Sequence, residues 1–286
     1  MNSFQRVIKY GAITLAVLLA ITIISGIANA AVSIISIFAG DYIIISGRKN
    51  VSSFDKRESF ADVESLDIDI VSGNLVIKQG DQFFVEADDV TNDFEMKVTN
   101  NQTLKIRERK KGIEFLGFYF NINKKIVSDI TIYIPANYQL EETKINTGAG
   151  KVEIDRLITK KLIIDAGAGN IKGSNLDASE VKLNGGAGKM IFDNVIFRNM
   201  KLDSGVGNVE IHGALLGDNR IDCGIGNMDI ELYGHEADYD LDIETGLGNA
   251  RINGRRISKK YRTNNDASSY IEIDGGIGSI DIKFSN

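Results

Sequence analysis

Apolar and polar residues alternate strictly along short stretches of the chain. Leu162, Ile164, Ala166 and Ala168 fall on one side, with Asp165 and Gly167 on the other. A period of two predicts β-strands, not helices. The alternation then slips, because Ile171 stands three residues beyond Ala168. A one-residue slip turns every later side chain to the opposite face, so Gly169-Asn170 is expected to be a corner that restores the inward phase. Glycine adopts positive φ without penalty. Asn170, Asn208, Asn227 and Asn249 suit the adjoining position, since asparagine tolerates the left-handed region.

This unit repeats. Gly-x-Gly pairs stand at Gly148/Gly150, Gly167/Gly169, Gly186/Gly188, Gly205/Gly207, Gly224/Gly226, Gly246/Gly248 and Gly276/Gly278, in steps of 19, 19, 19, 19, 22 and 30 residues. Both glycines of every pair are expected at structural corners. Two positions before each first glycine is a polar residue: Asn146, Asp165, Asn184, Asp203, Asp222, Glu244 and Asp274. One position earlier is Ile or Leu, and two positions after the second glycine comes an apolar residue in every unit. Nineteen residues are too few for a strand–helix–strand unit and suit one coil of a stack, in which neighbours bury a common column. The expected fold is all-β: a single-stacked β-solenoid (β-helix) of about 19-residue coils, preceded by one N-terminal transmembrane helix. Seven coils at the usual strand spacing give a rod of roughly 30 Å. The residues between the glycines, Ala149, Ala168, Ala187, Val206, Ile225, Leu247 and Ile277, are expected to face inward and to change the cross-section of the column along the chain. Longer loops are expected at 233–239 and 255–269.

An echo at Ile68-Asp69-Ile70-Val71-Ser72-Gly73-Asn74-Leu75 places the start of the stack near residue 60. The expected organisation is a membrane anchor over 1–46, an irregular part of the solenoid over 47–140 and the regular repeats over 141–286. The last strand ends two residues before the C-terminus. Solenoids need capped ends, and an open edge pairs with other chains. The final coil is therefore expected to be exposed and to dock a partner or a second copy, with deletion of 279–286 changing oligomer size or partner retention.

Residues 11–40 carry no charged side chain. About 20 apolar residues cross a bilayer as a helix, so this stretch is long enough to span. A second reading remains open: Arg6 and Lys9 as a basic n-region, an apolar core, and Ala28-Asn29-Ala30 as a cleavage site. The apolar run continues past that site, which favours an uncleaved anchor. Basic residues flank the segment on both sides (Arg6 and Lys9; Arg48, Lys49, Lys56 and Arg57), so the charge rule alone sets no orientation. The signal-like layout places the body outside the cell membrane.

Composition narrows the chemistry. The 286 residues carry a formal charge of −6, 29 glycines, one proline and one cysteine. No basic stripe is available for nucleic acid, and Cys223 alone closes no intramolecular bridge. Asp203, Asp222, Glu244 and Asp274 invite a calcium reading, since calcium prefers oxygen ligands. Against it, neighbouring charges at strand spacing repel by only about 0.9 kcal/mol in water, and such side chains ordinarily bond turn backbone. No metal, cofactor or catalytic residue is assigned. Gly148-Ala149-Gly150-Lys151 and Gly186-Ala187-Gly188-Lys189 lack the first glycine and the Ser/Thr of a phosphate loop. No Gly-x-Ser-x-Gly elbow occurs. His212 and His235 read as surface residues and Cys223 as a packed thiol. The aromatic run Phe115-Leu116-Gly117-Phe118-Tyr119-Phe120 reads either as a strand with Phe118 and Phe120 in the core or as a docking loop.

The repeated Gly-x-Gly-[Asn/Lys]-[Val/Ile/Met]-x-[Ile/Phe], preceded by Ile130-x-Ile132-x-Ile134-Pro135, resembles the bacterial β-strand-repeat family called "putative adhesin", a domain of unknown function. The resemblance covers about residues 60–286. The anchored layout is also similar to Lia-type envelope-stress accessory proteins of Gram-positive bacteria. The resemblance implies an extracytoplasmic β-helical body and transfers no catalytic residue. The expected function is a non-enzymatic, membrane-anchored binding surface or scaffold at the cell envelope, contacting the membrane through 11–40 and a protein or cell-wall polymer through its body. Two alternatives stand beside it: an accessory regulator of an envelope stress response, and a polysaccharide-acting β-helix enzyme.

Overall fold

The computed structural model describes residues 53–108, 113–115, 118–120 and 127–285, with 113–115 and 118–120 as backbone only. Among them the chain is all-β apart from one 3-10 turn, Glu236–Asp238. The strands are β1 (Phe54–Phe60), β2 (Ser65–Gly80), β3 (Phe83–Val90), β4 (Phe94–Val98), β5 (Thr103–Glu108), β6 (Ile113–Phe115), β7 (Phe118–Phe120) and β8 (Ser128–Pro135). After them comes the long β9 (Gln139–Ala187), which runs unbroken through successive corners. There follow β10 (Met190–Arg198), β11 (Met200–Val206), β12 (Val209–Leu216), β13 (Asp218–Ile225), β14 (Met228–Tyr233), β15 (Tyr239–Leu247) and β16 (Ala250–Ile252). The last four are β17 (Arg255–Arg256), β18 (Lys260–Arg262), β19 (Ser269–Ile277) and β20 (Ile280–Ser285). No helix among the described residues is long and apolar enough to cross a membrane, and the 11–40 segment lies outside the described residues.

Successive coils pair in parallel at the 19-residue offset. Leu183 lies beside Leu202 and Leu202 beside Ile221, while Ile171, Met190, Val209 and Met228 form a second row. All of these side chains are buried. Identical phase in each coil stacks like on like, so one apolar column runs through the layers. Burial of each Leu or Ile side chain contributes about 1.5–3 kcal/mol.

The second glycine of the pair makes the corner. Gly150, Gly169, Gly188, Gly207, Gly226 and Gly278 have φ between 138° and 153°. A Cβ at Gly226 would stand 1.6 Å from the Gly207 carbonyl oxygen of the layer below, so this column excludes any side chain. The first glycines, Gly148, Gly167, Gly186, Gly205, Gly224, Gly246 and Gly276, lie in extended strand without positive φ. They are needed for space: a Cβ there would fall 2.2–2.6 Å from a carbonyl oxygen of the adjacent layer.

The asparagines beside the corner play a different part from the one expected. Asn170, Asn208, Asn227 and Asn249 are not in the left-handed region. At the first three the preceding glycine has already taken the reversal. Asn170 Oδ1 accepts from Lys189 N, Asn208 Oδ1 from Asn227 N and Asn227 Oδ1 from Ser279 N, each at 3.0 Å. These side chains give partners to backbone N–H groups of the next layer, whereas Asn249 accepts from the Arg256 guanidinium. Left-handed asparagines occur elsewhere, among them Asn175, Asn194, Asn199 and Asn253.

The phase slip also starts one residue earlier than expected. Val206, Ile225, Ile277 and Leu247 are 52 %, 49 %, 50 % and 68 % exposed. The corner swings the residue between the glycines outward, so the expected inward ladder is an outer ridge.

The layers do not follow chain order at either end. β2 pairs in parallel with β9 on one side and with β5 and β8 on the other. β4 then caps β5, and β3 caps β8, both antiparallel, with β1 outside β3. At the other end β19 and β20 lie between β13–β14 and β15–β16. The C-terminal coil is therefore an interior layer, which corrects the expectation of an exposed final coil. The terminal coil is 239–252, and the antiparallel strands β17 and β18 cover its outer edge.

Gly248 belongs to this terminal coil and corrects the expectation of a uniform corner. It is the one second glycine whose φ lies outside the range that disfavours a side chain, and it is exposed. A regular coil packs on it from one side only, through Gly278. The close approach itself persists: a Cβ at Gly248 would stand 1.6 Å from the Gly278 carbonyl oxygen.

Two substitutions test this account. Gly226→Ala is expected to lose at least about 3 kcal/mol, whereas Gly254→Ala, at φ 77° with no atom within 4 Å of the added Cβ, is expected to lose about 1 kcal/mol; urea midpoints compare them. Buried Asn219 accepts from Met200 N and donates to the Leu216, Gly217 and Tyr270 carbonyls. Asn219→Leu removes the Asn219 acceptor from Met200 N–H, while the Leu216 and Gly217 carbonyls keep the Asn199 and Tyr270 N–H groups, and is expected to cost about 1–3 kcal/mol in the same assay.

Candidate functional site

The alternation that sends Ile164 inward sends Asp165 outward, and parallel stacking lines such residues into a row. In stack order the row reads Asp69, Asn146, Asp165, Asn184, Asp203, Asp222, Asp274 and Glu244. Two positions on come the first glycines, whose missing side chains leave a trough. Asp165, Asn184, Asp203, Asp222, Asp274 and Glu244 and the glycines beside them line an open groove of about 930 Å³. The ridge of Val206, Ile225, Ile277 and Leu247 follows the glycine column, one residue further along each strand.

The four consecutive acids are matched by cations. Lys201 lies 3.4 Å from Asp203, and Lys260 2.9 Å from Glu244. Arg220 reaches Asp222 at 3.0 Å, Glu272 at 3.0 Å and Asp274 at 3.1 Å. The other end of the row closes on Arg107, 3.9 Å from Asp69. Among the described residues no group of three or more His, Cys, Asp or Glu is placed to hold a metal ion. Asp203, Asp222, Glu244 and Asp274 thus form a charge-compensated row in a different order from the chain.

Two neighbouring carboxylates are driven apart in pKa. Burial pushes Asp222 up, but the hydrogen bond and charge of Arg220 outweigh it and hold Asp222 below the usual range. For Asp274, burial and the Asp222 charge outweigh Arg220, and the group is raised.

The remaining sequence candidates are dispersed. Cys223 is buried beneath the groove, and burial raises its thiol pKa, which leaves a poor nucleophile. His212 Nδ1 lies 2.9 Å from Asp193 and Nε2 3.7 Å from Glu231. The two ring nitrogens face acids on opposite sides, so the three groups do not converge on one point. The His235 backbone N donates to Asp238 at 2.7 Å, at the start of the 3-10 turn. Lys151 pairs with Glu153, and Lys189 with Glu210. β6 and β7 form a two-stranded ladder of their own; whether the aromatic run packs or docks turns on side chains outside the described residues. Sequence reasoning missed the clamp by Arg220 and the outer ridge. The growth from Ala187 to Val206, Ile225 and Leu247 was the visible signal for the ridge, assigned to the wrong face.

A family model described as Toastrack DUF4097 matches residues 63–282. The chain belongs to this family. The Toastrack match spans every layer that lines the groove, and the "putative adhesin" resemblance agrees with it. Solved structures similar to this Toastrack chain include a putative cell adhesion protein from Clostridium sporogenes, 17 % identical over 82 % of this chain and 100 % of that one, with a TM-score of 0.37. A putative lipid binding protein from Parabacteroides distasonis is 14 % identical over 83 % and 98 %, with a TM-score of 0.44. A putative adhesin from the same species is 15 % identical over 82 % and 98 %, with a TM-score of 0.42. No curated protein matches.

The clamp carries a pH prediction. A lowered Asp222 contributes stability above the ordinary carboxylate pKa that is lost as pH falls through its folded value. A raised Asp274 opposes folding above its folded pKa, and protonation relieves it. Arg220→Gln removes the compensating cation, so its destabilisation is expected to be largest near pH 7 and to shrink as pH falls through the carboxylate range. Urea midpoints of both forms at pH 7 and pH 3 measure this, and an equal deficit at both would refute it.

Proposed function

We propose that the chain is a non-enzymatic, adhesin-like binding surface held at the cell envelope, with residues 11–40 as the membrane anchor and the stacked body extracytoplasmic. The observation that carries this reading is the groove: long, open, repetitive, and bounded by a row of polar side chains and an aliphatic ridge. Such a surface suits an extended partner that meets the same chemistry at each layer, as a cell-wall polymer or an extended protein segment does. Catalysis asks instead for convergent acid and base groups in one cleft, whereas the four consecutive acids of this groove are spread along a row and paired with neighbouring cations.

The contact surface is tested by Val206→Ser/Ile225→Ser/Leu247→Ser. These side chains are exposed, so the melting temperature is expected to hold while retention of the full-length protein on isolated cell-wall material falls at least tenfold. Unchanged retention would remove the ridge from the contact, and new reducing ends from the polymer would overturn the non-enzymatic reading. Placement is tested with Leu247→Cys in a Cys223→Ser background. A membrane-impermeant maleimide is expected to label this position in intact cells; labelling only after lysis would put the body on the other side.

A further inference from the structure

We propose that residues 269–285 are an exchangeable insert, which leaves the slot between the 218–233 and 239–252 coils and enters the same slot of a second copy. β19 pairs with β13 on one edge and β15 on the other, and β20 likewise with β14 and β16. Neither neighbour is joined to the insert by a tight turn, because residues 253–268 intervene.

The walls of the slot also match each other. Asp222 and Glu244, Ile225 and Leu247, Met228 and Ala250, and Ile230 and Ile252 all stand opposite the same insert positions, Asp274, Ile277, Ile280 and Ile282. The glycines agree in phase too, with Gly224, Gly276 and Gly246 in one column. The two walls can therefore close on one another when the insert departs, which recovers part of the lost pairing. The departed insert has no such refuge in water. Ile271, Ile273, Ile280 and Ile282 are each at most 2 % exposed, and burial of such side chains drives re-insertion. The insert seats because Gly276 and Gly278 carry no side chain, which would fall 2.2 Å and 1.8 Å from the carbonyl oxygens of Gly224 and Gly226, and the other wall must offer glycine in return, since a Cβ at Gly246 or Gly248 would stand 2.4 Å or 1.6 Å from the carbonyl oxygens of Gly276 and Gly278. A second copy supplies that wall in full, and exchange of an identical element is a low-cost route to a dimer.

The hinge is identifiable. Residues 263–268 form no strand. Asp240 clasps this crossover: its carboxylate accepts from the backbone N–H of Asn265 and of Ala267, with Asp266 between them at φ 54°. Thr263 pairs back to Leu241 through its backbone N–H at 2.9 Å and its hydroxyl at 2.8 Å. The clasp holds the crossover in the form that returns the insert to its own chain, so Asp240 is a positioning residue for the unexchanged state.

The test uses full-length chains in detergent micelles, all carrying Cys223→Ser. One population also carries Ile225→Cys and the other Ile277→Cys, positions exposed and paired across the slot, where neighbouring strands stand within disulfide reach. Co-refolding from denaturant followed by oxidation is expected to link the two different chains, in excess of the self-linked dimers of either alone. Asp240→Ala in both is expected to raise the mixed dimer at least threefold, and Asp240→Asn less. A single chain carrying both Ile225→Cys and Ile277→Cys, diluted, is expected to close within itself. Closure within that chain with no mixed dimer at high protein concentration would overturn exchange. Failure of the double variant to close at all would overturn the slot itself.

Discussion

The structure depends on how closely two backbones can approach at a corner. In each layer the second glycine of the pair presses on the carbonyl oxygen of the glycine in the adjacent layer, so near that a Cβ would stand 1.6–1.8 Å from it. That contact has no tolerance for a side chain, and it repeats at every layer, Gly248 of the terminal coil included. It therefore sets the register of the whole stack: a coil that slips by one residue places a side chain where only hydrogen fits. The apolar column supplies most of the favourable free energy, but hydrophobic burial is non-directional and would accept several registers. The glycines select one.

From that register the surface follows. In-phase stacking turns every outward position into a row, so one acid per coil becomes a line of carboxylates and one aliphatic residue per coil becomes a ridge. The line is electrostatically acceptable because cations are supplied at the layers where acids adjoin one another. Arg220 stands where the flanking row passes from basic Lys182 and Lys201 to acidic Glu272 and Asp242, and it serves three carboxylates at once. Lys260 and Arg107, from strands outside the regular coils, close the two ends. The groove is therefore a consequence of periodicity, with its charge balance tuned by a few non-repeating residues. The same logic covers the buried polar exception. Asn219 is buried beside a corner, where its amide oxygen accepts from Met200 N and its amide nitrogen is shared among the Leu216, Gly217 and Tyr270 carbonyls.

The two ends of the stack solve a different problem, the unpaired strand edge. At the N-terminal end the chain lays antiparallel strands over the parallel layers. At the other end it folds the last coil under the preceding one and covers that coil with short antiparallel strands, which carry Arg255, Arg256, Lys260 and Arg262. Charged side chains on a short edge strand discourage further pairing. The 30-residue step between the last two glycine pairs is the sequence trace of this excursion: its length is what a return path requires.

What the sequence determined by itself is periodic and local. The 19-residue spacing, the two-residue alternation and the glycine pairs specify strands, layers, the identity of the core row and the existence of an outward acid row, because each depends only on a residue and its equivalents one coil away. The spacing also sufficed to exclude a phosphate loop and a nucleophile elbow. Other features were settled only by the tertiary structure. The face taken by Val206, Ile225, Leu247 and Ile277 depends on which residue of the corner absorbs the slip, a difference of one position that alternation cannot resolve. The role of Asn170, Asn208 and Asn227 depends on the N–H groups of the adjacent layer, which lie nineteen or more residues away. The order of the end layers is a choice between equivalent edges: the coils at 239–252 and 269–285 carry the same pattern, so alternation alone does not say which lies against 218–233, and the structure places 269–285 there.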